Sequence, residues 1–351
     1  LSYKILLLPG DGIGREITYE AKKVLEALGK KRSIDFTFSE AAIGGEAIDK
    51  FHDPCPEETL QSCQEASAVL LGAVGGPAWD HIPVGQRPES GLLKLRQKLG
   101  LYANLRPVFL YPALAYASPL KRSGPLDMMI VRELTGGIYF GKRDRDEDSA
   151  YDTESYSRFE IERIAKRAFI IASARSGKLT LVDKANVLAT SSLWREVVGK
   201  MADGYPNVKL DYMYVDNAAM QLIIDPGRFD VILTANMFGD ILSDEASALI
   251  GSIGMMPSAS LSDFCGGLYE PAHGSAPDLA GRDIANPLAS VLSAAMLLRF
   301  SLGLFEEAVM IEKAVSNVLE RGLRTGDLYR GEKEEVLVGT CAMGDAVCEA
   351  L

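Results

Sequence analysis
The sequence predicts an α/β fold built on a largely parallel sheet. Short apolar runs recur at Lys4–Pro9, Ala68–Val74, Leu126–Val131, Lys178–Val182, Val208–Val215 and Asp230–Thr234. Most are separated by segments with a helical apolar period, among them Glu16–Leu28, Glu160–Ala174 and Ala308–Leu319. Strands that alternate with helices need crossover connections, and these produce parallel pairing with both sheet faces covered. The 351 residues contain no internal repeat or low-complexity linker, and that length suits two domains or one large one.

In chain order, the run Lys4–Pro9 enters the turn GDGIG, and helical periodicity begins at Glu16. A weaker strand-like run, Ile34–Phe38, ends near Glu40. The segment GKRDRDEDSAYDTESYS, Gly141 to Ser157, breaks the apolar pattern. It reads either as a solvated loop or as a protruding hairpin that pairs with another subunit, because alternating Tyr and Ser/Thr suit an exposed strand. The most apolar stretch, Asn286 to Leu304, carries Arg299 and three serines. It falls short of the about 20 apolar residues of a membrane span and reads as a buried core helix.

Composition removes several function classes. The formal net charge is −11, from 37 basic and 48 acidic residues, and no basic block occurs. Nucleic acid and anionic membranes are therefore not expected partners, since affinity for them comes from clustered Lys and Arg. Five cysteines (Cys55, Cys63, Cys265, Cys341, Cys348) lie scattered without CxxC spacing, and there are only three histidines. This argues against a disulfide framework or a zinc centre and favours a reducing, cytoplasmic setting. No charged–apolar–small signal pattern opens the chain.

The opening turn could be a phosphate cradle or a plain strand-to-helix corner. A dinucleotide fingerprint needs G-x-G-x-x-G, its third glycine letting helix and strand pack closely. Here Gly10, Gly12 and Gly14 alternate, and Arg15 stands where the third glycine belongs. Glu40 could serve a ribose, but a tight corner with some ligand contact fits better. A second glycine-rich stretch competes: LYEPAHGSAPDLAGRDIANP, Leu268 to Pro287. Such a loop can wrap a planar ligand and offer backbone N–H groups to phosphates, although glycine-proline loops also serve as simple connections.

The charged residues fall in a suggestive pattern. Asp240 and Asp244, in NMFGDILSDEAS, lie four apart and share one helix face, where two carboxylates repel unless a cation sits between them. Asp216, in MYVDNAAMQL, would add a third oxygen ligand, a set suited to Mg²⁺ or Mn²⁺; capping and solvation are the alternative. Arg96, Arg106 and Arg132 sit in or beside apolar runs. Buried guanidinium groups need anionic partners, either a substrate with several carboxylates or internal ion pairs. Lys184 ends a strand-like run and suits a base whose pKa is lowered near a cation, and Tyr139 could supply a proton.

With those residues assembled, the chain resembles the metal-dependent β-decarboxylating dehydrogenases of the isocitrate/isopropylmalate dehydrogenase family. The similarity covers nearly the whole length, through LPGDGIG, LGAVGGPAWD, LLKLRQKLGLYANLRP, VRELTGGIYFG, VDKANVL, MYVDNAAMQL, FGDILSDEASALIGSIGMMPSASL and LYEPAHGSAPDLAGRDIANPLASVLSAAMLL. The resemblance implies a two-domain αβα fold with a central sheet shared by both domains, not a Rossmann fold, and an active site in the cleft between them. Residues 1–103 plus 255–351 would form the cofactor-side domain and 104–254 the dimerisation domain, with the segment near 141–157 as an intersubunit arm. Its KRDRDED stretch is more densely charged than the arm of this family.

The resemblance also implies a site. NAD would lie along Glu270–Asn286, held by Ile13, Gly76, Glu89, Glu270, His273, Gly274, Ser275, Ala276, Asp278 and Asn286, with the GDGIG corner beside the adenine. Asp278 would bind ribose hydroxyls and repel a 2′-phosphate, favouring NAD over NADP. Asp216, Asp240 and Asp244 would hold Mg²⁺ or Mn²⁺, Lys184 would be the base and Tyr139 the proton donor. The implied substrate is 3-isopropylmalate, contacted by Glu89, Leu92, Leu93, Arg96, Arg106, Arg132, Val187 and Asp216. In the loop ESGLL, Leu92 and Leu93 form an apolar wall that would leave a third carboxylate unpaired, while Ser90 replaces an expected glutamine. In a homodimer, Lys184 and Asp216 would reach the partner's site. Homoisocitrate, isocitrate or tartrate are the alternative substrates. A non-catalytic regulatory subunit would lack Lys184, Tyr139 or a metal aspartate, and all are present.

Overall fold
The computed structural model describes residues 2–120, 125–263 and 266–351; Cys265 lies outside them. The chain divides into two compact units. Unit 1 comprises Leu1–Leu101, Tyr111–Ser118 and Ile250–Leu351, and unit 2 comprises Tyr102–Leu110 and Pro119–Leu249.

In unit 1, Ser2–Gly10 pairs in parallel with Asp35–Glu40 on one side and Ala68–Ala73 on the other. Leu268–Pro271 follows in parallel beside Ala68–Ala73, and Pro257–Leu261 pairs antiparallel to it. Ile5 to Leu8 are all buried, which requires cover on both faces and explains why the run is continuously apolar. One face packs into a core with Ile43, Leu60, Cys63, Leu71 and Leu95. The helix Gly14–Arg32 buries Ile17, Ala21, Val24, Leu25 and Leu28, an apolar stripe at helical spacing. Its last turn carries Lys30, Lys31 and Arg32, cations that suit the negative end of the helix dipole.

The apolar stretch expected as a core helix is one. Leu288–Phe300 is helical, and every residue from Leu288 to Leu298 is buried, so it is apolar all round. Among the described residues, no helix is long and apolar enough to cross a membrane.

Among the described residues, five neighbouring strands of unit 2 run in the order Ala103–Phe109, Asp127–Glu133, Val231–Thr234, Lys178–Asp183 and Lys209–Tyr214. The first pair is antiparallel and the others are parallel. The helix Arg158–Ala174 starts with a capping box, in which Ser157 and Glu160 exchange side-chain-to-backbone hydrogen bonds. The run read as Val208–Val215 stops at Tyr214, and the helix Val215–Ile224 begins without an intervening loop. Between the two alternatives for 141–157, the structure has the hairpin: Arg143–Arg145 pairs antiparallel with Ala150–Asp152, both strands fully exposed. Asp146 shapes its turn by accepting from the backbone N–H groups of Asp148 and Ser149. Among the described residues, Cys55, Cys341 and Cys348 are free thiols.

Candidate active site
Unit 2 ends its parallel strands along one edge. The register sets Thr234 beside both Arg132 and Val182, and Asp183 beside Tyr214. The antiparallel strand enters at the same edge, with Asn104 opposite Arg132. Ligands of open α/β sheets bind beyond the carboxyl ends of the strands, and the expected chemistry gathers here.

Asp240 is the hub. Its Oδ1 accepts from Arg132 Nη1, its Oδ2 accepts from Tyr139 Oη at 3.0 Å, and Arg106 Nη2 lies 3.6 Å from Oδ1. Arg106 also reaches Asp244 at 3.5 Å and donates to Ser243 Oγ at 2.6 Å and Asn104 Oδ1 at 2.9 Å. Arg132 and Arg106 are both buried. Gly239 makes room for the first: a Cβ there would stand 2.7 Å from Arg132 Cγ. Burial, and then the Asp240 carboxylate, push the Tyr139 phenol above its ordinary pKa. A phenol that keeps its proton can act as an acid.

Lys184 Nζ donates to Asp216 Oδ1 at 2.6 Å, and this ammonium holds the Asp216 carboxyl below the usual range. Asp216 therefore does not join Asp240 and Asp244. Among the described residues, no three His, Cys, Asp or Glu side chains converge as a metal set. Asp240 and Asp244, one helical turn apart, still offer the hard oxygen donors that Mg²⁺ or Mn²⁺ takes.

In unit 1, Arg96 meets Glu270: Nη2 donates to Oε1 at 2.5 Å, both side chains buried. Each buried arginine singled out in the sequence thus also has a carboxylate partner within the chain. The carboxylates involved (Asp240, Asp244, Glu270) are themselves expected site residues. Glu89 lies against the loop after Ala68–Ala73, where a Cβ on Gly75, the neighbour of Gly76, would be 2.4 Å from its Oε1. Leu92 packs on the core that contains Leu6, Leu71 and Leu95, and Leu93 is half-buried. Val187, in unit 2, is 71% exposed, and Asp278 is exposed.

The opening turn is a corner. Asp11 N donates to Ala73 O, Ile13 N to Ser275 O and Gly14 N to Asp11 O, so these N–H groups serve the fold and not a phosphate. The Asp11 carboxylate accepts from the backbone of Gly45, Glu46 and Gly75. Gly12 has φ +56°, and a Cβ on it would fall 2.0 Å from Ser275 O. The corner is thereby pressed against the second glycine-rich stretch.

That stretch borders a pocket of 530 Å³ lined by Ile13, His273, Gly274, Ala276, Leu279, Asn286 and Asp327, among others. It is mostly apolar and of the size that holds small ligands. His273 Nδ1 bonds Gly274 O, while its buried Nε2 has no hydrogen-bond partner. Burial lowers the imidazole pKa, which keeps the ring neutral. A mostly apolar pocket with one partnerless buried ring nitrogen among the described residues offers chemistry that an adenosine-like group could use.

A family model described as isocitrate/isopropylmalate dehydrogenase matches residues 4–347. The chain belongs to the isocitrate/isopropylmalate dehydrogenase family. The 3-isopropylmalate dehydrogenase of Pseudomonas fluorescens (strain Pf0-1) is 59% identical, with 100% of this chain and 99% of the relative covered. That of Clostridium acetobutylicum is 56% identical over 99% of each. Among solved structures, isocitrate dehydrogenase from Methylococcus capsulatus superposes with a TM-score of 0.88 at 37% identity, over 99% of both chains. A β-decarboxylating dehydrogenase from Thermococcus kodakarensis gives 0.80 at 35% identity, over 99% of this chain and 96% of the other. The expected α/β fold class and the expected enzyme class, an oxidoreductase, are therefore both found. Dependence on NAD and a divalent metal is typical of the family.

Several residues around this dehydrogenase site carry no mention in the sequence reading: Asn104, Asn236, Ser243 and Asp327. Asn236 stands one helical turn before Asp240, and Asn104 two residues before Arg106 on the same strand face. The four-residue helical interval that joins Asp240 to Asp244 also joins Asn236 to Asp240, and the two-residue strand period joins Asn104 to Arg106.

Proposed function
We propose that this enzyme oxidises and decarboxylates (2R,3S)-3-isopropylmalate to 4-methyl-2-oxopentanoate and CO₂ with reduction of NAD, the chemistry of leucine biosynthesis. The observation that carries the proposal is the Asp240 cluster: two buried guanidinium groups, a protonated phenol and two carboxylates within one edge of unit 2. The names of relatives at 56–59% identity support the substrate.

Arg106 and Arg132, with Arg96 from unit 1, bind the malate carboxylates; forked donors match carboxylates bidentately. Asp240 and Asp244, joined by Asp216 of a second copy, hold the cation. When bound, NAD would supply the hydride acceptor and the cation would supply Lewis-acid polarisation of the substrate's hydroxyl oxygen. Lys184 of the same second copy takes the proton of the C2 hydroxyl, directly or through water. After CO₂ departs, Tyr139 delivers a proton to C3, and its raised pKa keeps that proton in place at neutral pH. Leu92, Leu93 and Val187 receive the isopropyl group. Ile13, Gly76, Glu89, Glu270, His273, Gly274, Ser275, Ala276, Asp278 and Asn286 hold NAD.

A homodimer is part of this reading. Met220, Ile223 and Ile224 on one helix and Ile241 on the next are 49–67% exposed, an apolar surface that a second copy would cover. The pairing of Asp216 with Lys184, away from Asp240 and Asp244, leaves room for a contribution from the partner. The free thiols suit a cytoplasmic setting.

NADH formation by the purified protein with Mg²⁺ tests the proposal, comparing 3-isopropylmalate, isocitrate, homoisocitrate and tartrate, each with and without EDTA. EDTA-sensitive turnover of 3-isopropylmalate well above the others is expected. Preference for another acid would keep the mechanism and overturn the apolar wall. Absence of turnover by folded dimer would overturn the proposal.

A further inference from the structure
The two buried arginines of unit 2 each have, beside a carboxylate, a second and neutral partner. Arg96 rests on a carboxylate, Glu270. Arg132 gives its Nε and Nη2 edge, at 3.1 and 2.8 Å, to the single Oδ1 of Asn236, a neutral acceptor that is itself buried. Arg106 repeats the pattern, donating from Nε to Asn104 Oδ1. A carboxylate in either place would also fix the guanidinium plane, but it would cancel part of the charge. A neutral amide fixes the plane and adds no negative charge to that already supplied by Asp240 and Asp244.

Asn236 does more than hold one fork. Its Nδ2 donates to Gly136 O at 3.2 Å, and its backbone N donates to Tyr156 Oη at 2.9 Å. Gly136 belongs to the short segment that carries Tyr139. One buried amide therefore ties the arginine, by its acceptor end, to the proton donor's segment, by its donor end. Asp240 follows one turn later on the same helix and takes the Nη1 corner of the same guanidinium. An aspartate at 236 would keep the size and the acceptor but would face Gly136 O with a second oxygen.

We propose that Asn236 is a positioning residue for the substrate: it orients Arg132 toward the substrate carboxylate without neutralising it, and it holds the Tyr139 segment in register with that arginine. The inference rests on the assignment of Arg132 to substrate binding made above. Hydrogen bonds to charged groups set the scale, so loss of the Asn236 contact should raise the 3-isopropylmalate KM by about 10- to 100-fold. The NAD KM should stay within about twofold, since no contact of Asn236 reaches the unit 1 pocket.

The test uses the full-length enzyme as Asn236→Ala, Asn236→Asp, Arg132→Lys and the double variant Arg132→Lys/Asn236→Ala, with KM and kcat measured for both substrates and folding followed by circular dichroism. The expected result is a raised 3-isopropylmalate KM in both Asn236 variants. In the Arg132→Lys background, Asn236→Ala should add less than about threefold, because its effect passes through Arg132. Multiplicative effects, or an unchanged 3-isopropylmalate KM in the Asn236 variants, would overturn the inference. Should Asn236→Ala fail to fold, the same-sized Asn236→Asp carries the comparison alone and in the Arg132→Lys background. An unchanged KM in Arg132→Lys would instead remove the substrate assignment of Arg132, and the inference with it. A raised KM there with unaltered Asn236 variants would remove the inference alone.

Discussion

Gly12→Ala perturbs the contact between the opening corner and the 270–286 loop. At φ +56° the left-handed conformation costs an L side chain about 1–2 kcal/mol. The new Cβ would also start 2.0 Å from the Ser275 carbonyl oxygen, whereas ordinary contact begins at 3.4 Å. The loop cannot yield easily, because Ser275 is buried and its Oγ donates to Gly75 O at 2.7 Å. Withdrawal would break the bond from Ile13 N to Ser275 O, worth about 1 kcal/mol. The combined destabilisation should be about 2–3 kcal/mol. Urea unfolding of the wild type and variant measures it, and NAD titration reports the effect on the pocket, where affinity should fall. Gly85→Ala is the control, since a Cβ there meets nothing within 4 Å, and its effect should stay within about 0.5 kcal/mol. A loss below about 0.5 kcal/mol for Gly12→Ala, with unchanged NAD affinity, would refute the account of this corner.

Other expectations follow from the charged groups. Tyr139→Phe should lower kcat by about 10²- to 10⁴-fold with little change in 3-isopropylmalate KM, as steady-state kinetics will report. Burial opposes ionisation of Asp230, yet the Ser176 hydroxyl and Arg175 guanidinium prevail and depress its pKa. A depressed folded-state value adds stability that is present above the ordinary aspartate pKa and is lost as pH falls through the lowered one. Asp230→Asn should therefore flatten the acid limb of stability against pH in that window; an unaltered limb would count against the Arg175–Asp230 pair.

The legible parts of this protein were those written locally. The continuous apolarity of Lys4–Pro9 marks a strand covered on both faces, and the four-residue interval between Asp240 and Asp244 sets them on one helix face whatever packs around them. The arginine in place of a third glycine argued against a phosphate cradle, and the structure shows the corner's N–H groups occupied by the fold. The 141–157 segment was less legible, because two exposed three-residue strands leave almost no apolar pattern.

By itself, the sequence determined the α/β alternation, the core helix at Leu288–Phe300 and the set of residue types able to do the chemistry. These depend on periodicity and spacing over a few turns of backbone. Tertiary structure alone decided which groups meet: Arg96 with Glu270, 174 positions away, and Arg132 with Asn236, 104 away. It also decided that Gly12 must be small because Ser275 approaches it. Such pairings depend on strand order and crossover geometry. A local pattern can call for a partner for a buried charge, but chain topology selects that partner.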